Sequence, residues 1–527
     1  MIKYLFLLFA FIPSVIFSQN IPAYSFTIYD TTVTGYYFLA NIKLGNPGGY
    51  TPTQLVLDAK GDIIYYKMRQ TWNRADDFKL QPNGSMSYFS GSKFYILDST
   101  FTVKDSAACV GYPTDGHDMK IIGNNHYLLL GTKDSIMDLT SYHMFYHIGA
   151  IGSATAIVTG NIIQELDSSK NVVFEWSTFD HFLFDDVSPF WLYSGTDVDW
   201  THCNAVELDT DGNILLSTRH LSEITKIDHV TGNIIWRMGG KQNEFTFIND
   251  SLIFHGQHDI QRIDNGNLTL YDNGRFFMSH GARGVEYLVD EVNKTAGLVW
   301  SYTRDSAICS YATGNVQRVS DNRTLIDFGA MVNSNICFTL VDSLNNTLAE
   351  LSFGDSAISY RSFFYPSLPW SFYRPQLNCY QQGASFYLET TAGYSSYLWS
   401  TGETAASIQI SSPGNYYVSV PYGEGFIRSE IFLITNLSNS CNTNSENELQ
   451  GSTEFFIYPN PVKDELIIIN ESSQEKSGIE IYDVYGRKVF SFPSAFRENT
   501  VRINTKNWGR GLYFVQSGNR TAKFVIE

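Results

Sequence analysis

Strand–turn–strand hairpins recur along the first 350 residues and constrain the fold more than any other feature of the sequence. In each, an apolar strand runs into an aspartate, a turn with Gly or Asn follows, and a second strand closes the hairpin, most often near an aromatic residue. Gly and Asn tolerate the positive φ that tight hairpin turns need. The clearest copies span residues 55–66, 162–177, 205–217, 224–238 and 285–302.

Hairpins at this spacing are typical of a β-propeller, in which four-stranded sheets surround a central channel. About 300 residues carry them, and at ~40–50 residues per blade they predict about six blades. Helical periodicity is almost absent. An array of β-sandwiches is the rival arrangement, but aromatic-ended hairpins over so long a span favour the propeller. We therefore predict an all-β chain with a six-bladed β-propeller over residues 20–375.

Aspartates in the hairpins are assigned to turns and not to chemistry. Asp58, Asp167, Asp209 and Asp228 each stand where a strand ends, and Asp side chains commonly accept backbone N–H groups there. Residues 209–213 partly resemble a calcium loop, but the later Glu ligand is missing, so this segment is also predicted to be a turn.

The beginning of the chain has the layout of a secretory signal. Residues 1–19 hold one Lys, an apolar run and a polar end. Such a run is too short for a stable membrane span and is typical of a signal peptide that is removed. No later stretch approaches a membrane-spanning length, so we predict no integral membrane segment after cleavage.

The sequence changes character after the predicted propeller. Residues 376–435 predict an Ig-like β module with Trp399 in its core, and residues 436–453, rich in Asn, Ser and Thr, predict a linker. None of the six cysteines forms a C-x-x-C pair, which argues against a zinc ribbon. Export permits disulfides, and Cys379 and Cys441, which flank the module, are the expected pair.

The last segment, residues 454–527, carries several ordered motifs. These are YPNP at 458–461, YDVYGR at 482–487, GLYFV at 511–515 and Lys523 near the end. Together they resemble the C-terminal sorting domain of type IX secretion, found in Bacteroidetes. The resemblance implies a β-sandwich, the type IX secretion machinery as a partner, and a secreted or cell-surface location. The net charge of −17 excludes nucleic acid as a partner, because a phosphate backbone needs a basic face.

Polar motifs with His, Arg, Asn and Asp recur inside the predicted propeller. At the strand ends of a propeller such side chains face the channel or the loops over it, where ligands bind. Taken singly, a histidine such as His117, His220, His255 or His280 is most often a structural polar contact. The motifs are DGHDM (115–119), DWTHCN (199–204), STRH (217–220), FHGQHD (254–259) and YDNGRFFMSHGARGVEY (271–287).

The order of these motifs resembles the arylsulfotransferase family. The resemblance implies a six-bladed propeller that works outside the cytoplasm, without a cofactor or a metal. It also implies transfer of a sulfuryl group from a phenolic sulfate donor to a phenol acceptor. Carried over by motif, His202, His258 and Arg275 are the expected catalytic residues. The expected substrate-binding residues are Asn204, Arg219, His220 and Arg283 in the same motifs, with His117 in the first motif.

These residue types suit sulfuryl transfer. The transition state spreads charge over three peripheral oxygens, as in phosphoryl transfer, and the planar forks of Arg275 and Arg283 can pair with such oxygens. A neutral imidazole can attack sulfur and form a covalent sulfo-histidine. A second imidazole can protonate the departing phenolate and later deprotonate the acceptor.

One departure from the family leaves the nucleophile open. The family's nucleophilic His lies on a strand beyond the A-R-x-V-E-Y segment, and the corresponding residues 324–342 contain no His. Three explanations stay open. Another imidazole takes that role, with His202 or His258 favoured over His255 and His280; the chain belongs to a divergent branch of the family; or activity has been lost. The alternative function is therefore an inactive propeller that serves as a surface adhesin or ligand-binding protein. A quinoprotein dehydrogenase is a third option, although that class carries a different tryptophan repeat.

Overall fold

The structure of the chain, a computed structural model, contains two compact units, residues 1–441 and residues 442–527. The predicted signal peptide, residues 1–19, lies outside the described residues. The described residues are 21–43, 51–69, 75–144, 151–192, 194–274, 281–305, 310–319, 322–331, 334–354, 357–441, 456–458, 461–469, 478–484, 486–492, 500–517 and 520–526.

The first unit opens with four strands that belong to sheets completed later in the chain. They are β1 (Tyr24–Ile28), β2 (Tyr36–Lys43), β3 (Thr53–Asp58) and β4 (Ile63–Met68). The first sheet made of consecutive strands follows, with β5 (Asp76–Leu80), β6 (Met86–Ser90), β7 (Lys93–Leu97) and β8 (Val103–Ala107).

Three more antiparallel sheets follow in chain order. The second has β9 (Thr114–Ile122), β10 (His126–Met137), β11 (Ala156–Leu166) and β12 (Val172–Ser177), with β13 (Asp197–Asp199) parallel to β11. The third has β14 (Cys203–Leu208), β15 (Ile214–Thr218), β16 (Glu223–Ile227) and β17 (Ile234–Gly239). The fourth has β19 (His258–Arg262), β20 (Leu268–Asp272), β21 (Arg283–Asp290) and β22 (Thr295–Tyr302). It also contains the preceding strand β18 (Thr246–Ile248), which runs parallel to β22.

The last two sheets of the ring join distant parts of the chain. The fifth has β23 (Asn315–Arg318), β24 (Thr324–Asp327), β25 (Ile336–Val341) and β26 (Thr347–Phe353), and β1 is its outer strand. The sixth begins with β27 (Ala357–Tyr365), which pairs with β2 and is followed by β3 and β4. N-terminal strands therefore complete both sheets.

The first strand of each sheet contacts the first strand of the next, and β27 contacts β5. The sheets therefore stand in a closed ring around an axis, and apolar side chains fill the space between neighbours. Trp236 of the third sheet, for example, shares one buried cluster with Ile260 and Val285 of the fourth. The prediction of an all-β propeller fold is confirmed.

Turn chemistry follows the predicted pattern. The Asp58 carboxylate accepts N–H groups from Lys60 and Asp62, and Asp167 and Asp228 do the same in their own turns. Helices are few and short in the described residues, and none has the length and apolar character needed to cross a membrane. They are α1 (Thr178–His181), α2 (Leu437–Ser440) and 3-10 turns at Gly123–Asn125, Phe184–Asp186 and Pro189–Trp191.

Residues 376–435, predicted as an Ig-like β module, lie within the first unit. The reason is an edge pairing: Ile427 lies opposite Tyr65 of β4, so the module extends the sixth sheet. The other strands of the module form two small sheets. Its strands are β28 (Leu377–Gln382), β29 (Ser385–Thr390), β30 (Leu398–Trp399), β31 (Ser407–Ile410), β32 (Gly414–Tyr416), β33 (Val418–Tyr422), β34 (Gly425–Arg428) and β35 (Phe432–Ile434).

The core of the module contains the residues that its sequence suggests. Trp399 is buried, and Cys379 and Cys441 form a disulfide. Because α2 and the buried Cys441 belong to this core, the first residues of the predicted linker, which was expected to begin at 436, are part of the folded unit.

The second unit contains two antiparallel sheets around one core. Leu466 and Ile468 of one sheet share that core with Ile481, Val515 and Phe524 of the other. The strands are β36 (Phe456–Tyr458), β37 (Glu465–Ile469), β38 (Ile479–Asp483), β39 (Lys488–Phe492), β40 (Thr500–Asn504), β41 (Gly511–Ser517) and β42 (Arg520–Ile526).

A buried cluster of charged side chains, here called the axial cluster, fills the centre of the ring. Arg361 of β27 lies 3.0 Å from Asp77, 3.3 Å from Asp118 and 3.7 Å from Asp259. Lys79 pairs with Asp77 at 2.6 Å and with Asp118 at 2.5 Å. The cluster thus links the first strands of the first, second, fourth and sixth sheets, and it blocks the channel.

We predict that Arg361→Met destabilises the first unit strongly. Without the guanidinium, the buried carboxylates of Asp77, Asp118 and Asp259 lose the cation that they share, and an uncompensated buried charge costs about 3–5 kcal/mol. Urea unfolding followed by tryptophan fluorescence measures the change. The matched control is Arg304→Met, which removes an exposed pair with Glu350 and should cost less than about 1 kcal/mol. Equal unfolding midpoints for the two variants would contradict this role.

Candidate active site

The candidate site lies at one end of the ring, where the first strands begin. His117 is in β9, His202 directly precedes β14, and His258 opens β19. Both β14 and β19 have a register shift near their start, and such bulges re-aim side chains. His202 has a φ of 47°, which is costly for a residue other than glycine and is commonly found at functional sites.

Two histidines at this end are each held by an aspartate. Asp115 bonds Nδ1 of His117, and Asp199 bonds Nδ1 of His202. The two imidazole centroids are 4.8 Å apart, and the side chains are 27% and 22% exposed. Within the described part of the chain, Nε2 of neither ring meets a hydrogen-bonding group. A ligand in the mouth of the ring can therefore reach both Nε2 atoms.

A stack of rings supports His202 from one side. Its imidazole lies 4.6 Å from that of His220, which in turn stacks on Trp191 at 4.3 Å. His220 Nδ1 lies 2.6 Å from the carbonyl oxygen of Asp199, and Nε2 lies 3.0 Å from Arg219 Nη1. Because a guanidinium only donates, Nε2 accepts and Nδ1–H donates to the carbonyl. His220 is therefore a neutral imidazole.

Arg219 is the cation closest to this stack in the described residues. Its Nη2 donates to the carbonyl oxygen of Tyr311 at 2.6 Å, and its Cζ lies 4.1 Å from the centre of the Trp191 ring. Both contacts fix the planar guanidinium beside His220. The predicted substrate-binding residues His117, Arg219 and His220 are thus gathered around His202.

The two aspartate-bound histidines have opposite pKa shifts. Burial alone would lower the pKa of His117, but the charge of Asp115 and the hydrogen bond to it raise it above the ordinary value. For His202, burial prevails over the charge of Asp199, and His117 and Arg219 add to the lowering of its pKa. The pKa of Asp199 is lowered by His202 against the effect of burial. Of the two rings, His117 is therefore the one that holds a proton more readily, and His202 the one that is more readily neutral.

His258, predicted as catalytic, lies in a different environment. Its Nδ1 is 2.7 Å from Oδ1 of Asn273, and its Nε2 accepts the backbone N–H of Thr313 at 3.1 Å. The side chain is buried, and desolvation lowers its pKa well below the ordinary value. Because both ring nitrogens are engaged, these contacts favour a structural role.

Two predicted substrate-binding residues do not reach the open mouth. Arg283 is buried between carboxylates, with both terminal nitrogens on Asp250 at 2.9–3.1 Å and Nε on Asp272 at 2.9 Å. Asn204 is fully buried and donates its amide to the carbonyl oxygen of Gln257 at 2.7 Å. The charge of Arg283 in particular is compensated by these two carboxylates. The predicted catalytic Arg275 lies outside the described residues, as does His280.

Asp199, His202 and His220 are close enough to hold a metal ion, since their candidate ligand atoms lie within 4.8 Å of one another. The orientation of the rings argues against it. The lone pair of an imidazole nitrogen lies in the plane of its ring. The planes of His202 and His220 are stacked with only 25° between them, so their lone pairs point in nearly parallel planes and do not converge on one metal ion. Arg219 also places a positive charge against His220. The arrangement suits group and proton transfer better than metal binding.

Sequence reasoning missed three residues of this site. Asp115 and Asp199 stand two and three positions before their histidines, so an Asp–x–His or Asp–x–x–His spacing was the signal available. Trp191 lies in a 3-10 turn far from any polar motif, and no signal in the sequence marks it.

Comparison with known families decides the classification. The family model described as Arylsulfotransferase (ASST) matches residues 27–361, which is more than half of the chain and includes every residue of the site. The chain belongs to the arylsulfotransferase family. The prediction of an arylsulfotransferase-type enzyme is thereby confirmed at the level of the family.

A second family model assigns the C-terminal unit. The secretion system C-terminal sorting domain matches residues 456–527. This domain directs an arylsulfotransferase chain through type IX secretion to the cell surface or beyond, as the sequence predicts.

Solved structures resemble the chain only distantly. A protein of unknown function from Bacteroides caccae is 8% identical with a TM-score of 0.39, and covers 63% of this chain and 98% of its own. Virginiamycin B lyase from Staphylococcus aureus is 9% identical with a TM-score of 0.32, and covers 70% and 96%. At such scores these similarities carry no weight for the site. Among curated proteins, none matches the sequence.

We predict that Asp115→Asn lowers the pKa of His117 below its ordinary value. The substitution removes the charge that raises this pKa and leaves burial, which lowers it. NMR titration of ¹³C-histidine-labelled protein measures the shift, with His117→Gln to assign the resonance. Asp138→Asn, at an exposed turn, is the control and should leave the titration unchanged. A His117 pKa that is the same in wild type and Asp115→Asn would contradict the role of this carboxylate.

Proposed function

We propose that this arylsulfotransferase moves a sulfuryl group from a phenolic sulfate to a phenol through a covalent sulfo-histidine on His202. The observation that supports it is the pair of imidazoles, His117 and His202, each bonded to an aspartate through Nδ1 and shifted in opposite directions in pKa. Two neighbouring titratable groups with diverging pKa values mark an acid and a base or nucleophile.

In the first step the neutral His202 is the nucleophile. Its Nε2 lone pair attacks sulfur, an N–S bond forms, and the bond from sulfur to the aryl oxygen breaks with its electron pair going to oxygen. His117, protonated, donates its Nε2 proton to the departing phenolate. Asp199, on Nδ1 of His202, compensates the positive charge that the sulfurylated ring acquires.

In the second step His117 acts as the base. It takes the hydroxyl proton of the acceptor phenol at Nε2 while the phenol oxygen attacks sulfur. The N–S bond breaks, its electron pair returns to Nε2 of His202, and the original protonation states of both rings are restored.

The cation beside the nucleophile suits the charge of the group being transferred. Arg219 lies next to His220 and against Trp191, fixed before substrate arrives, and a preorganised guanidinium stabilises oxyanions in a site sheltered from water. Arg275, matched to the family's motif, is a second candidate for this role.

The remaining predicted residues take positioning roles in this proposal. His258 joins Asn273 to the backbone of Thr313, and Arg283 joins Asp250 to Asp272, so each fixes a loop at the end of the ring that carries the site. Neither exchanges a proton or a charge with the substrate.

We predict that His202→Ala and His117→Gln separate the two steps. With 4-nitrophenyl sulfate, wild type should release a burst of nitrophenolate without acceptor and turn over when phenol is added. His202→Ala should show no burst. His117→Gln should keep the burst, because nitrophenolate leaves without a proton, but should lose about 10²–10⁴-fold in turnover with phenyl sulfate. Stopped-flow absorbance and mass spectrometry of the His202 peptide measure both effects.

The control for this experiment is His181→Gln, which changes a histidine stacked on Trp176 outside the site and should keep wild-type kinetics. A burst that survives His202→Ala would assign the nucleophile to another imidazole. No acceptor-dependent turnover by wild type over a series of phenols would instead support the ligand-binding alternative.

The proposal also predicts a bell-shaped dependence of turnover on pH. Activity should fall on the acid side as His202 becomes protonated, and on the alkaline side as His117 loses its proton. Because the pKa of His202 is lowered and that of His117 raised, the plateau should include pH 6.5, the ordinary value for histidine. Asp115→Asn should move the alkaline limb to lower pH, because it removes the charge that raises the pKa of His117. An unchanged alkaline limb would remove His117 from the mechanism.

A further inference from the structure

A cavity of about 800 Å³, lined by both apolar and polar side chains, opens at the end of the ring opposite the histidines. Each inner strand runs from the histidine end toward it, so that Glu207 lies five positions after His202, about 16 Å along the strand at ~3.3 Å per residue. All six inner strands line the cavity. Their contributions include Lys79, Lys120, Glu207, Gln261, Gln317 and Phe363.

The axial cluster separates this cavity from the active site. Arg361, Asp118 and Asp259 are buried, and they lie between the histidine level and the lining residues of the same strands. A molecule in the cavity therefore does not reach His202. Any ligand bound there has a function distinct from sulfuryl transfer.

The cations in the wall are already paired. Lys79 is buried and bound to Asp77 and Asp118, and Lys120 Nζ lies 2.6 Å from Glu207 Oε2. The side chains of Lys120 and Glu207 are 18% and 22% exposed and line the cavity. Because their charges cancel, the pair presents a dipole and no net charge. A charged ligand such as an aryl sulfate gains no ion pair here, which favours a neutral one.

The amides of the wall offer opposite hydrogen-bonding groups. Gln317 accepts the N–H of Phe364 at 2.6 Å through its carbonyl, which leaves its amide nitrogen to donate. Gln261 donates to Asp259 at 3.0 Å, which leaves its carbonyl oxygen to accept. Both side chains are half-buried, and the exposed Asn83, a further amide, lines the same cavity.

An aromatic wall completes the cavity. Tyr365 is half-buried at the surface of the cavity, and Phe363 is buried behind it, with the two rings nearly parallel at 18° and their centroids 6.4 Å apart. Alternating donors and acceptors fit a molecule with many hydroxyl groups, and aromatic rings fit the apolar C–H face of a sugar ring. A volume of this size lies within the range of small-ligand sites.

We infer that this cavity binds a neutral saccharide. The site does not depend on the proposed mechanism, since it shares no residue with the histidine end. It gives the protein a second ligand class beside phenols and their sulfates.

The test is binding of cellobiose, maltose and N-acetylglucosamine to the full chain, by saturation-transfer NMR and calorimetry. At least one should bind with signal from its ring protons. The double variant Gln261→Leu/Gln317→Leu keeps side-chain size, removes the two free amide groups, and should weaken binding at least about 10-fold. Gln382→Leu, an exposed glutamine of the module, is the matched control and should bind as wild type.

The same titration on His202→Ala distinguishes this site from the catalytic one, and its binding should be unchanged. Thermal unfolding of each variant checks that the ring is intact. No binding of any of the three sugars at tens of millimolar would overturn the inference. So would binding that survives the double glutamine substitution, or binding that disappears with His202→Ala.

Discussion

The guanidinium of Arg361 is the contact on which the rest of the structure depends. It lies on the axis of the ring and contacts the carboxylates of Asp118 and Asp259 and the carbonyl oxygen of Asn204. These groups come one or two positions after His117, His258 and His202, on three different strands. A shift of any of these strands would move a carboxylate or carbonyl away from the guanidinium. The buried charge therefore sets the spacing of the imidazoles above it, and the same cluster divides the channel into two separate ends.

Two similar sequence motifs yield two chemically different histidines. His117 and His202 both follow an aspartate closely and both bond to it through Nδ1. The difference comes from their surroundings, because burial lowers the pKa of His202 by more than Asp199 raises it, and the nearby His117 and Arg219 lower it further. A carboxylate orients each ring, while the balance between burial and that carboxylate, with a smaller contribution from nearby cations, decides the direction of its pKa shift.

Sequence reasoning predicts the features that depend on short stretches of chain. The hairpins and their turn aspartates are local, and the hairpin pattern then brings His117, Arg219 and His220 to the same end of the ring. Features that depend on distant partners are not visible in the sequence. The hydrogen-bond partners of the two ring nitrogens of His258 are residues 273 and 313, which lie far from it in sequence. The module likewise pairs with a strand of the ring that is more than 350 residues away in sequence.

The closure of the ring has a consequence for when the enzyme becomes competent. The sixth sheet pairs β27 with β2, so the strand that carries Arg361 must meet one that was synthesised more than 300 residues earlier. Contacts so distant in sequence form late and slowly. Until they form, the guanidinium of Arg361 is not in place between the carboxylates on the axis of the ring. The distance between the imidazoles of the site is then not fixed. Competence for chemistry thus requires this pairing between distant parts of the chain, and a chain that lacks it is catalytically silent.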